Sequence, residues 1–61
     1  MSYKAGDLVR YIAAPVFDGI VETGDVGTVT RVADGWVHAL WPSGEEGSVP
    51  ISNVRPEPPS R

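Results

Sequence analysis

Seven glycines and six prolines punctuate only 61 residues, and nine valines stand between them. Glycine and proline both interrupt helices, the first through its entropy cost and the second through its missing N–H, whereas valine's branched Cβ suits a pleated strand. No long segment shows helical periodicity, so this punctuation favours short strands joined by tight turns. A chain of this length buries about 60% of the surface its unfolded form exposes, enough for one modest core and no second domain. With no cysteine, disulfides and thiolate metal sites are both excluded, and stability must come from packing or self-association.

Residues 1–6 read as a polar lead-in. From Asp7 to Ile12 the sequence alternates, with Leu8, Arg10 and Ile12 on one side and Val9 and Tyr11 on the other, as a first strand would. Ala13 to Asp25 loses that regularity and reads as a long hairpin loop carrying Val16, Phe17, Ile20 and Val21, which either fold back or stay available to a partner. Val26 to Ala33 is the clearest strand. Asp34-Gly35 then predicts a tight hairpin turn, because both central residues of the favoured turn need positive φ. Trp36 to Trp41 returns, and on its alternation Val37 and Ala39 face inward while Trp36, His38 and Leu40 face out; Trp41 is expected in the core. Glu45-Glu46-Gly47 reads as a solvated second turn, Ser48 to Ile51 as a short strand, Ser52-Asn53-Val54 as one tight helical turn, and Val54-Arg55 as the last strand. Gly24, Gly27, Gly35, Gly44 and Gly47 are read as turn and bulge residues, since no helix or Lys-Ser/Thr follows to make a phosphate loop.

Five Lys and Arg against eight Asp and Glu leave a formal charge of −3. Affinity for nucleic acid rests on clustered cations, so this scattered, acidic balance argues against such a partner. No apolar run reaches the eighteen or so residues of a membrane span, and the N-terminus lacks a basic start followed by an apolar stretch, which together lead us to expect a cytoplasmic protein with no membrane partner. His38 is the only histidine and has no second ligand or triad companion at a recognisable spacing, so it is read as a surface or interface residue. Neither a cofactor nor a metal is expected, and nothing in the residue pattern calls for catalysis.

From Glu22 onward the sequence resembles the second half of a Src-homology-3 (SH3) domain, through Gly24-Asp25, the strand Val26 to Val32, Gly35-Trp36, Ala39, Gly44-Glu45-Glu46-Gly47, Pro50 and Val54. The resemblance implies an all-β, five-stranded SH3-like barrel over residues 7–55, followed by a proline-rich tail at 56–61. It further implies a peptide groove with Trp36 as its aromatic wall, Pro50 beside it, Tyr11 as a partial platform, and Asp18 and Glu22 as the carboxylates that receive a basic ligand side chain; the binding face expected here is the one around Trp36, Tyr11, Phe17 and Pro50. Proline-rich peptides hold a pre-formed extended helix, so an aromatic ledge gains contact at low ordering cost. Two positions depart from the pattern: Val37 stands for a second Trp, and Ser52 or Asn53 for a groove Tyr.

Gly6-Asp7-x-Val9-Arg10 and Gly47-Ser48-Val49-x-Ile51 are similar to the bacterial type B dihydrofolate reductases, small barrels that act as tetramers. That resemblance implies a homo-oligomeric scaffold as the alternative function, with Val49-Pro50-Ile51-Ser52 lacking the Gln and Tyr, and Tyr11 the Lys, of the reductase site. Accessory barrels of electron-transfer complexes resemble the chain more weakly through the same Gly-Asp-x-Val-Arg start, as do RNA-binding barrels of ribosomal and transcription proteins. The leading expectation is a non-catalytic module that binds a protein or a proline-rich peptide. Pro56-x-x-Pro59-x-Arg61 in the tail has the pattern of such a ligand, although a solvated terminus is the plainer reading.

Overall fold

The computed structural model describes residues 3–58 as five antiparallel strands and two single turns of 3₁₀-helix. The strands are β1 (Leu8–Tyr11), β2 (Val26–Ala33), β3 (Trp36–Leu40), β4 (Glu46–Pro50) and β5 (Val54–Pro56), and they lie in the order β4-β3-β2-β1-β5. The all-β, five-stranded expectation holds. No pairing joins β4 to β5 among the described residues, so the barrel-like form comes from bending of one sheet.

Each strand forms where its alternation has an inner face to bury. Val9 and Tyr11 of β1, Val29 of β2, Val37 and Ala39 of β3, Val49 of β4 and Val54 of β5 are buried, and Val21 and Trp41 complete the core. Between Val29 and Arg31 the β2–β3 register slips at a bulge, which bends β2; Val26 to Thr28 pair with β1 and Thr28 to Ala33 with β3. Asp34 and Gly35 take φ of 53° and 81°, the double positive φ that a two-residue hairpin demands.

The long loop folds back on the sheet. Val16 and Val21 form an isolated bridge around the 3₁₀ turn Phe17–Gly19; Val21 enters the core, Val16 and Ile20 pack against it, and Phe17 stays outside. The loop is tied down by the Thr23 hydroxyl, which donates to the Ala13 carbonyl at 2.6 Å, and by the Tyr11 N–H, which donates to the Asp25 carbonyl at 2.8 Å.

Some boundaries and roles differ from expectation. The second turn lies at residues 42–45, where Gly44 at φ 92° supplies the left-handed residue and the Trp41 N–H reaches the Glu45 carbonyl. One such glycine closes the hairpin, which frees Glu46 to enter β4, where it accepts the Thr30 hydroxyl at 2.6 Å. The helical turn is Ile51–Asn53, one residue earlier than expected, and β5 runs on to Pro56. Gly27 and Gly47 lie in strands and not in turns. A Cβ on Gly27 would stand 2.6 Å from Cε3 of Trp41, and one on Gly47 would stand 3.3 Å from Phe17 and 3.6 Å from Trp41.

The chain leaves β5 along β1. The Glu57 N–H donates to the Leu8 carbonyl, and Arg10 grips the Glu57 carboxylate through Nε at 2.9 Å and Nη2 at 3.1 Å. Glu57, by hydrogen bond and then by charge, raises the Arg10 pKa above its ordinary value. Pro56 and Glu57, the first residues of the proline motif, are therefore occupied at the β1 edge; Pro59 and Arg61 lie outside the described residues. Gly27→Ala is expected to cost about 1–3 kcal/mol, because the indole it would strike is held on every side, while Gly47→Ala costs less, since Phe17 has solvent to move into. Urea unfolding of the two variants checks this ranking.

Candidate functional site

The outer face of β3 carries the exposed apolar side chains. Trp36 and Leu40 are 47% and 49% exposed, with the half-buried His38 between them. The same alternation that buries Val37 and Ala39 forces these three outward. Across the ladder Trp36 pairs with Ala33 on one side and Pro50 on the other, so the expected Trp36–Pro50 neighbourhood is present. The Ile51 N–H donates to the Gly35 carbonyl at 2.9 Å, which locks the 3₁₀ turn after Pro50 to the hairpin before Trp36.

Tyr11 is a correction. It is 1% exposed, its ring meets Trp41 edge-on with centroids 6.1 Å apart, and its hydroxyl donates to the Ala14 carbonyl at 2.6 Å. As an odd-numbered partner of Val9 it takes the inner face, so it serves the core and offers no platform. The outward residue at this end of β1 is Ile12, 43% exposed, whose N–H donates to the Asn53 carbonyl. The 3₁₀ turn Ile51–Asn53 is thus bonded to Ile12 through one end and to the Trp36 hairpin through the other. Ile12, Pro50 and Trp36 outline a strip along that turn. The sequence signal for Ile12 was its alternation with Leu8 and Arg10, overlooked because an aromatic residue stood next to it.

Phe17, Asp18 and Glu22 belong to a second locality. Phe17 is 49% exposed and lies over Gly47, where it shares a cavity of about 380 Å³ with His38, Glu46, Gly47 and Ser48. Gly47 is three residues along β4 from Pro50, roughly 10 Å at strand rise, so Phe17 and Trp36 mark separate places on the surface. Phe17 and Asp18 both take left-handed φ, 56° and 53°. Asp tolerates this; for a bulky residue such as Phe it costs on the order of 1–3 kcal/mol and persists only where surrounding structure imposes it. Here the Val16–Val21 bridge below and the glycine surface of β4 beside it impose it. Among the described residues neither the Asp18 nor the Glu22 carboxylate takes part in a hydrogen bond or ion pair.

A second cleft, about 500 Å³, lies between Tyr3, Leu8 and the departing Pro56 and Pro58. Among the described residues no three His, Asp or Glu side chains gather as metal ligands, and no helix is long and apolar enough to cross a membrane. No protein-family model, no curated protein and no solved structure matches this chain. Tyr11→Phe, which deletes the hydrogen bond to Ala14, is expected to lower stability by about 1 kcal/mol and speed amide exchange in residues 12–16, leaving Trp36 emission unchanged. A shifted Trp36 spectrum in that variant would return Tyr11 to the outer face.

Proposed function

We propose that this chain is a non-catalytic interaction module that receives an extended peptide or a segment of a partner protein on the strip formed by Ile12, Pro50 and Trp36. The observation that carries the reading is the exposure of Trp36 at 47% in a domain whose core is already complete without it. Large exposed aromatics beside proline and aliphatic surface supply rigid contact area, and such residues dominate binding energy where they occur at interfaces. The likeness to SH3 domains supports the same reading, since Trp36 and Pro50 pair across β3 and β4 as the groove requires. Asp18 and Glu22, which the resemblance assigns to a basic ligand side chain, sit with Phe17 in the separate locality, so the strip holds its ligand through the apolar surface of Ile12, Pro50 and Trp36. Ile12 takes the platform position first expected of Tyr11.

The exposed Trp36 and Leu40 equally favour a second reading, a homo-oligomeric barrel scaffold in which copies of the chain cover each other's outer faces. The two separate in one experiment. Sedimentation equilibrium of the chain is followed by titration with a proline-rich peptide carrying an arginine, monitored by tryptophan fluorescence in the wild type and by calorimetry in both the wild type and Trp36→Ala. Because Trp41 is buried, the emission change reports Trp36. The module reading expects a monomer, a blue shift on titration, at least about tenfold weaker binding in Trp36→Ala, and a loss of only a few tenths of a kcal/mol in stability. A concentration-independent tetramer whose Trp36 is already shielded supports the scaffold instead.

A further inference from the structure

The two edges of the sheet are finished differently. In an antiparallel ladder alternate residues turn their N–H and C=O toward one neighbour and the rest toward the other. The Trp41 N–H bond to the Glu45 carbonyl sets the phase of the β3–β4 ladder, so Gly47 and Val49 face β3 while Glu46, Ser48 and Pro50 face away. Because β4 ends the strand order, no strand among the described residues pairs with the backbone N–H and C=O of Glu46 and Ser48. The same phasing turns Val54 and Pro56 of β5 outward, but there the Val54 N–H is taken by the Ile51 carbonyl, the Val54 carbonyl accepts Arg55 Nη1 at 2.9 Å, and Pro56 has no N–H. The β5 edge is closed by its own residues and the β4 edge is open.

The open stretch is bounded and decorated. Pro50 ends it, its carbonyl already capping the 3₁₀ turn that follows, and the turn at 42–45 begins it, so it offers two residues' worth of paired donors and acceptors. Below it lies the exposed ring of Phe17, held over Gly47 by left-handed backbone, and the cavity between them is also lined by His38, Glu46 and Ser48. Charge at this edge is mainly acidic: Glu46 stands on it, Glu45 precedes it, Asp18 adjoins Phe17, and the nearest cation, Arg31, points its Nη2 at His38 Nε2 at 3.5 Å. Glu46 has one carboxylate oxygen bound by Thr30 and the other free among the described residues.

We infer that the β4 edge at Glu46–Ser48 is a strand-addition site for an extended segment of another protein that carries a lysine or arginine. The segment's backbone pairs with Glu46 and Ser48, one side chain covers Phe17, and its cation meets the carboxylates of Glu46 and Asp18. Main-chain bonds supply the attachment in such docking, and alternate side chains the selectivity. The site is distinct from the Trp36 strip and stands or falls separately from it.

The test uses the ¹⁵N-labelled full chain and a five-residue probe peptide alternating threonine and valine about a central lysine, capped at both ends. Companion probes place glutamate at the centre or N-methylate alternate amides. Expected are saturable shifts at Glu46, Gly47, Ser48 and Phe17, with millimolar affinity, roughly tenfold weaker for the glutamate probe and lost for the N-methylated one. Ser48→Pro removes only an outward N–H, so it is expected to keep the fold and abolish the shifts; if it fails to fold, the N-methylated probe decides. Shifts confined to Trp36 and Pro50, equal binding of the N-methylated probe, or no shifts at about 10 mM peptide would overturn the proposal. So would self-association through Glu46 and Ser48 in the absence of peptide, which would make a second copy the occupant.

Discussion

The indole of Trp41 lies against β2 and β4 at the two strand positions that lack a side chain, and the rest of the core is arranged around that fact. Gly27 leaves no room for even a methyl group beneath the six-membered ring, and Gly47 faces the five-membered ring while its carbonyl accepts Nε1–H at 3.1 Å. Apart from Trp41 and Tyr11, the buried side chains are all Val or Ala. Such short side chains cannot span the interior of a bent sheet at native density, so one large aromatic must fill it, and its polar atom needs a partner in place. Tyr11 extends the contact to β1 and, through its hydroxyl, to the loop at Ala14. The two rings thereby couple three strands and the longest loop.

Because the centre is filled from within, the outer face of β3 has no structural duty. Trp36, His38 and Leu40 point away from a core that does not need them, and the bend at the β2 bulge presents them on a convex surface. The 3₁₀ turn after Pro50 is what brings the beginning of β3 and the end of β1 into one neighbourhood, through Ile51 to Gly35 and Asn53 to Ile12. A few hydrogen bonds from a three-residue turn therefore set the spacing of the strip.

The loop contributes differently. Its anchors, Val16, Ile20 and Val21, hold it on the core, and the cost of holding is concentrated in Phe17 and Asp18, whose left-handed backbone lifts one aromatic ring to the open sheet edge. Strain of this kind is sustained by neighbours that fit only one arrangement. The bridge from Val16 to Val21 and the bare backbone at Gly47 are those neighbours.

The strands were legible in the residue pattern wherever burial has a period of two: Val26 to Ala33 and the inward Val37 and Ala39 needed nothing beyond alternation, and Asp34-Gly35 announced its turn through the φ it requires. Trp36 outside and Trp41 inside also followed from alternation and from the strand's end. What the pattern could not carry was any contact between residues distant along the chain. Alternation puts Tyr11 and Ile12 on opposite faces, but only the elements packed beside them decide that Tyr11 is enclosed against Trp41 and that Ile12 comes to lie at the turn after Pro50. Gly27 and Gly47 look like turn residues in isolation, because the reason for them is a ring fourteen positions away in one case and six in the other. The separation of Phe17 from Trp36, and the choice of which sheet edge stays open, are likewise properties of strand order and ladder phase. Local propensity fixes where strands begin, but hydrogen-bond direction at an edge depends on what lies on the other side, and that is settled only when the chain has folded.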